Sequence, residues 1–408
     1  MTSRFPGEVA SRRSIGWFFA SLGLLLALLS AQELFDGFRV LLFGETSLAG
    51  IDLRMRISEV TRWFNRQSIY RNDASAVYPP ASYVVVWILG AGSDFARART
   101  LWAIESGALL IMASAGVVYA SRAVGGAQRL SASLLVLSMS AIGPGVANGQ
   151  LHIVTVLAGV AGVLIGMRRE GSWVSDLTGA ALIVVALSKP TNGITFFMML
   201  WLLPGRFRPG LLASAGYVSL TGMSLLAQDE NGFSLITRWI DRAVSGAEFG
   251  AHDGGTANAQ TLLAAFGLES WSPIVAVGLL ALLGEWLFRR RGADVWILLG
   301  CAGLTARVCV YHRTYDDVLA IPALIALMRI SFTPQSYPRW IRTVGPVMLA
   351  CGWCVMGVPE RYWSSEAVFE TSHLAYWVAL LLFLAGTAKH TKGAPNTGIG
   401  SPSLSLRP

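Results

Sequence analysis

DGFRVLLFGETSLAGIDLRMRISEVTRWFNRQSIYRNDASAVYPP, residues 36–80, is a polar stretch between two apolar runs, and the remainder of the chain is organised around it. It carries three aspartates (Asp36, Asp52, Asp73), six arginines (Arg39, Arg54, Arg56, Arg62, Arg66, Arg71) and the rigid turn Tyr78-Pro79-Pro80. Chemistry at a membrane face calls for such groups. A carboxylate takes a proton, guanidinium groups hold phosphate in bidentate fashion, and prolines fix a loop where it re-enters the bilayer.

The surrounding 408 residues are 53% hydrophobic and 14% charged, with mean hydropathy +0.53. A soluble globule carries about 25% charged residues, so the composition reads as an all-α polytopic membrane protein. The apolar runs approach the ~17 to 25 residues that one crossing requires, and open strands cannot satisfy their backbone in lipid. No soluble domain of useful size is left over. The formal charge of +8 comes from arginine-rich loops that orient the chain, not from a stripe that would bind nucleic acid. Cys301, Cys309, Cys351 and Cys354 all lie in apolar runs, which argues against a disulfide framework or zinc site and for small packing residues.

Arg4, Arg12 and Arg13 precede the first apolar run, 15–35. That run is long for a signal-peptide core and lacks a small-residue cleavage site, so it reads as an uncleaved span with its N-terminus in the cytoplasm. Residues 36–80 then form the first extracytoplasmic loop. Further apolar segments follow at 81–92, 101–120, 130–143, 151–167, 177–188, 191–203, 210–227, 272–288, 295–310, 317–331, 341–357 and 373–388.

Arg289-Arg290-Arg291 marks the cytoplasmic side most strongly. Counting from it puts 228–271, a second large loop, and 311–316 outside. Arg122 with Arg129, Arg168 with Arg169, Arg206 with Arg208, and Arg329 to Arg342 fall inside. The outer face also collects 144–150, Lys189 with Pro190, and 359–372. The alternation fails once, between residues 80 and 100, where 81–92 is too short to cross and reads as re-entrant. The expectation is twelve crossings plus one re-entrant helix, about 12–13 membrane helices in a single domain, 1–388, followed by a disordered cytoplasmic tail, 389–408. The alternative makes 81–97 a crossing and 177–203 one proline-kinked helix, at the cost of turning Arg122, Arg129, Arg168 and Arg169 outward.

Asp52 lies in Gly50-Ile51-Asp52-Leu53-Arg54-Met55-Arg56, followed by Tyr70 and then by Tyr78-Pro79-Pro80 at the start of the next apolar run. Here the chain resembles the C-type glycosyltransferases, specifically glycosyltransferase family 87, which includes polyprenyl-phosphate-mannose-dependent mannosyltransferases. Three later stretches extend the likeness: Asn148-Gly149-Gln150-Leu151, Ser188-Lys189-Pro190, and Tyr311-His312-Arg313-Thr314-Tyr315-Asp316-Asp317 with the Leu/Pro-rich helix after it. Asn258-Ala259-Gln260-Thr261-Leu262 is similar to the family's Asn-x-Ser-Leu but has Thr261 in place of the serine. The likeness spans most of 15–330 and lies in the order and spacing of the motifs.

The resemblance implies a glycosyltransferase of the inner (plasma) membrane. It moves mannose or a similar hexose or pentose from a polyprenyl-phosphate donor to a glycolipid or cell-envelope glycan acceptor at the outer face, without metal or other cofactor; a divalent ion held by Asp52 and Asp316 is the alternative that the residues themselves leave open. Such transfer needs a base for the acceptor hydroxyl and cations for the phosphate that leaves. Asp52 is the candidate base, against a structural role as a helix N-terminal charge or as the i+4 partner of Arg56. Asp36, near the exit of the first span, is second choice, and Asp73 reads as a turn residue. Lys189, an ammonium between two short apolar segments, calls for an anionic partner unless it snorkels. With His312, Arg54 and Arg56 it makes the candidate phosphate set, although acidic lipids explain the two arginines almost as well. Asn148, Gln150, Tyr78, Tyr315 and Asp316 are the candidates for shaping the sugar site, the plainer role of Asn148 being a cap at a helix break. His152 and His252 have no ligand spacing with another His or Cys. Two other classes fit the composition: a transporter or flippase of lipid-linked sugars, which would distribute charges along a pathway and show repeat symmetry, and a glycan polymerase or ligase leaning on 228–271. The ionisable groups instead gather at one face, and 15–203 does not visibly repeat in 210–388.

Overall fold

A computed structural model describes residues 6–45, 49–72, 76–92, 94–168, 172–203, 207–250, 258–309, 312–333 and 337–391. Asp73, Arg169, Arg206, His252, Tyr311 and residues 392–408 lie outside the described residues. Among the described residues every regular element is helical: α1 (Pro6–Phe43), α2 (Ile51–Phe64), α3 (Ile69–Asn72), α4 (Pro80–Val86), α5 (Phe95–Ala120), α6 (Gly126–Leu137), α7 (Ile142–Asn148), α8 (His152–Gly166) and α9 (Trp173–Ala186). They continue with α10 (Pro190–Leu202), α11 (Arg208–Leu226), α12 (Gly232–Gly250), α13 (Ala259–Ala265), α14 (Ser272–Arg290), α15 (Val295–Cys309), α16 (Ile321–Phe332), α17 (Arg339–Gly357) and α18 (Glu366–Thr387). Single turns of other helix types join some of them, chief among them a 3-10 segment at Thr314–Ala320.

The protein is an all-α polytopic membrane protein. Among the described residues, five helical stretches are long and apolar enough to cross a bilayer: Ser14–Phe43, Phe95–Ala120, Glu269–Arg290, Arg339–Gly357 and Glu366–His390. A sixth results if Gly126–Leu137 and Ile142–Asn148, bent by 41°, count as one broken span. The centre is a hairpin of α15 and α16, whose residues Ile297–Cys309 and Ile321–Phe332 are all buried. Helices that are largely apolar all round belong in such a position, and the arginine that each carries is paired, Arg307 with Asp317 and Arg329 with Asp294.

Several expected boundaries are corrected. The first span does not end at residue 35, because no proline interrupts α1 and Asp36 pairs with Arg39 one turn on at 3.5 Å, so the helix continues to Phe43. The segment 130–143 is two helices. The break at residues 138–141 persists because its backbone groups find partners on other helices: Ser30 Oγ donates to the Ser138 carbonyl at 3.1 Å, and the Ser140 amide donates to the Met356 carbonyl at 2.9 Å.

Residues 177–203, by contrast, are two helices as the preferred reading has them, and not the one kinked helix of the alternative. The chain turns at Leu187 to Lys189, and Pro190 opens α10 at a position where its missing N–H costs nothing. Residues 81–92 form the short α4 and a π turn, Trp87–Ala91, bent at Gly90. About eleven residues at ~1.5 Å each reach ~16 Å, roughly half the ~30 Å hydrocarbon core. Residues 389–391, assigned to the tail from sequence, pack on the helices: Thr391 is buried and its hydroxyl accepts from the Asp294 amide at 3.3 Å. All four cysteines are free; Cys301 and Cys309 are buried packing residues, but Cys351 is exposed and Cys354 half-buried.

Candidate functional site

The site begins where α2 meets the end of α7. Gly50, in the left-handed region (φ 56), starts α2, and its amide donates to the Ala147 carbonyl at 2.9 Å. Gly149, also left-handed (φ 67), ends α7, and a β-carbon there would come within 2.5 Å of the Leu53 β-carbon. Only glycine combines that backbone with so close an approach. The turn delivers Gln150 beside the first turn of α2, which carries Asp52.

Gln150 is buried, and its Nε2 donates both to Asp52 Oδ2 and, at 2.9 Å, to the Tyr315 hydroxyl. Tyr315 belongs to the 3-10 segment and is approached on its ring face by Lys189 Nζ, 5.3 Å from the centroid. Lys189 is the residue just before α10, and its Nζ lies 2.5 Å from Asp316 Oδ1. The other oxygen, Oδ2, is 3.0 Å from His312 Nδ1. Asp52, Gln150, Tyr315, Lys189, Asp316 and His312, which come from four separate stretches of sequence, thus form one connected cluster.

The electrostatics of this cluster are set by burial and by pairing. Burial alone would raise the Asp316 carboxyl, but Lys189 and then His312 outweigh it and hold Asp316 well below the usual carboxylate range. For His312, burial outweighs the attraction of Asp316 and lowers the imidazole below its ordinary value. Asp316 is therefore an ionised carboxylate at neutral pH and His312 a neutral ring. Its Nδ1 carries the proton towards Asp316, and Nε2 is buried with no hydrogen-bond partner.

Tyr78, just before α4, meets α2 one turn beyond Asp52, at Arg56. Arg56 stands over its ring at 4.3 Å, and its carbonyl accepts from the Tyr70 hydroxyl at 2.7 Å. Burial, opposed by Arg56 and reinforced by Asp52 and Asp316, raises the Tyr78 phenol, which puts it within electrostatic reach of both carboxylates. Arg56 is buried and turns to Glu59, three residues on.

Other candidates stand apart. Arg54 donates to the Ala49 carbonyl at 2.9 Å and packs its guanidinium 4.9 Å over Phe95, so its contacts tie α2 to the segments around it. Asn148 is the half-buried last residue of α7; the cap itself is Gly149. Asp36 is paired with Arg39 on the exposed end of α1. Asp317 faces away from its neighbour Asp316: Arg307 Nε donates to it at 2.7 Å, and His373 Nε2 lies 3.7 Å from its other oxygen.

Three groups were not singled out from sequence. Glu59, the buried partner of Arg56, is visible as an i+3 acid on the same helix. His152 is wholly buried, with its ring 5.8 Å from that of Tyr315, and its place two residues after Gln150 was the available signal. The Arg307–Asp317–His373 group has no local signal, since it joins distant helices. Among the described residues no three His, Cys, Asp or Glu side chains converge to hold a metal ion. Set against family models, curated proteins and solved structures, the chain matches none.

Proposed function

We propose that this protein is a C-type membrane glycosyltransferase that moves a hexose or pentose, mannose or a similar sugar, from a polyprenyl-phosphate donor to a glycolipid or envelope-glycan hydroxyl. The observation that supports it most is the joining of Asp52 to the Lys189–Asp316–His312 group through Gln150 and Tyr315. An acid–base carboxylate and an ammonium with N–H donors to spare for an anion, that of Lys189, stand at two ends of one hydrogen-bonded cluster, as a displacement at a sugar carbon between hydroxyl and phosphate requires.

Asp52 accepts the proton of the acceptor hydroxyl as that oxygen attacks the anomeric carbon. The bond to the phosphate oxygen breaks on the opposite side, the electron pair leaves with the lipid phosphate, and a single displacement inverts the anomeric centre. Lys189 has three N–H donors, one of them engaged by Asp316, which leaves the others for phosphate oxygens. Asp316 holds Lys189 and His312 in register, while Gln150, Tyr315 and Tyr78 face sugar hydroxyls. In this reading the short apolar helices join the long ones to make twelve crossings and one re-entrant element, residues 80–90, in the inner membrane. The site then opens on the extracytoplasmic face.

Asp52→Asn tests the assignment. The purified variant is expected to bind the lipid-phosphate sugar with near-unchanged affinity and to lose ~10²- to 10⁴-fold in transfer, the usual worth of a placed base. Full transfer by the variant removes Asp52 as the base.

A further inference from the structure

α12 has two faces of opposite character. The face towards the protein is pinned to Tyr70, Arg71 and Val77 of the first polar loop. Leu235 is fully buried, Trp239 Nε1 donates to the Val77 carbonyl at 3.0 Å, and Arg242 donates to the carbonyls of Tyr70 and Arg71 at 2.9 and 3.1 Å. Just before the helix, Glu230 receives Arg71 at 3.0 Å, the Ser68 hydroxyl at 3.0 Å, and Arg238, while Asp229 pairs with Arg66 at 2.8 Å.

The opposite face is apolar and uncovered. Phe233 is 76% exposed, Ile240 48% and Val244 40%. Half-buried Thr237 stands between them, its hydroxyl bonded back to the Phe233 and Ser234 carbonyls at 3.2 and 3.0 Å. Positions 233, 237, 240 and 244 follow i, i+4, i+7, i+11 spacing, one stripe of a helix.

We infer that α12 lies on the membrane surface, with the stripe Phe233–Thr237–Ile240–Val244 set into the lipid at the headgroup boundary and the opposite face clamped to the loop that follows α2. The lipid surface is favoured by continuity. α12 follows α11, whose last turn exposes Met223 and Leu226, the latter 86% exposed, and after the short α13 comes α14, a helix long and apolar enough to span, with Ile274 and Val277 exposed and Trp271 just before its first residue. Only five residues separate Leu226 from Gly232, so the start of the helix lies within roughly 22 Å of that turn. Aromatic and aliphatic residues on one side, with arginines and serine on the other, make the pattern of an interfacial helix.

The test places single nitroxide labels at F233C, I240C, V244C and, as control, at the exposed polar position D241C. Cys351 and Cys354 are replaced by alanine, and the chain is reconstituted in phosphatidylcholine/phosphatidylglycerol vesicles. Electron paramagnetic resonance then compares collision with oxygen against collision with a water-soluble nickel chelate. Labels at 233, 240 and 244 are expected to favour oxygen several-fold over the label at 241. Equal access of the nickel chelate to 240, 244 and 241 overturns the proposal. So does dipolar broadening between labels that persists when the protein is diluted in lipid, which would identify a second copy as the occupant. The unsubstituted chain gives an independent reading: phosphatidylcholine with a diazirine on its acyl chain should mark the 232–245 segment at Phe233, Ile240 and Val244, and marking confined to α11 and α14 would contradict the assignment.

Discussion

Asp316 shares one buried carboxylate between Lys189 and His312, and both consequences of that sharing are measurable. Removing one partner of a buried pair costs about 3 to 5 kcal/mol, because the other is left buried and uncompensated. Asp316→Asn is therefore expected to lower thermal stability in detergent markedly, and Lys189→Met combined with Asp316→Leu is expected to lower it by less than the two single changes together. Additive losses would show that the pair is not coupled. The pH dependence of His312 has a definite sign. Its folded value is below the ordinary ~6.5, so the unfolded chain binds the proton more readily and the stabilisation, present above ~6.5, is lost as pH falls through that region. His312→Gln should fall less steeply in melting temperature between pH 7.5 and 5.5 than the unsubstituted protein. An equal or steeper fall would contradict a neutral buried ring.

At this same scale the residue types in the sequence identify most of the cluster, because each is costly where it stands. An ammonium between apolar segments implies an anion, and Lys189 has one in Asp316. Pairings decided by a choice between neighbours were not legible. Arg56 has Asp52 four residues before it and Glu59 three residues after, and burial of Glu59 decides for the latter. Asp316 and Asp317 are chemically identical neighbours, and only the packed fold turns one to Lys189 and the other to Arg307 and His373.

Among the elements, the junction of α2 with α7 and the clamp of α12 matter most. Gly149→Ala places a β-carbon against Leu53 in a left-handed backbone, which alone costs ~1 to 2 kcal/mol. The variant should lose at least that much stability, and its reduced form of the Asp52–Gln150 contact should show as lost activity out of proportion to the lowered melting temperature. Unchanged activity would mean the junction does not position Asp52. Glu230 is outside the spans. Burial would raise its carboxyl, but Arg71, Ser68, Ser234 and Arg238 hold it below the usual range. The clamp is then present above the ordinary carboxylate value and weakens as pH falls through the folded one. Glu230→Gln is expected to speed amide exchange across 63–72 at neutral pH, whereas exchange unchanged from the parent would show the clamp carries no load. Helix positions followed from apolar runs, but their ends did not. Hydropathy ends α1 at the first aspartate, although a helix tolerates an exposed Asp36–Arg39 pair and stops only where its backbone must.

For the whole molecule, composition alone implied a helical membrane protein, since so few charges leave no other way to satisfy the backbone. The number of crossings is less legible, because several apolar helices such as His152–Gly166 and Val295–Cys309 are shorter than a bilayer is thick. Charge bias favours the topology that keeps Arg122, Arg129 and Arg168 in the cytoplasm. Reporter fusions after residues 125 and 171 are expected to report the cytoplasm, and outward location of both would overturn the topology with a re-entrant 81–92 and make 81–97 a crossing.

The most direct measurement is release of lipid phosphate. Purified protein in vesicles, given a polyprenyl-phosphate hexose, a glycolipid acceptor and a chelator, should liberate polyprenyl phosphate in step with glycolipid extension, and Asp52→Asn should slow both together by ~10²-fold or more. Lipid phosphate released equally by the Asp52→Asn variant, or by neither protein across a panel of sugar donors, would contradict glycosyl transfer at the Asp52–Gln150–Lys189 site.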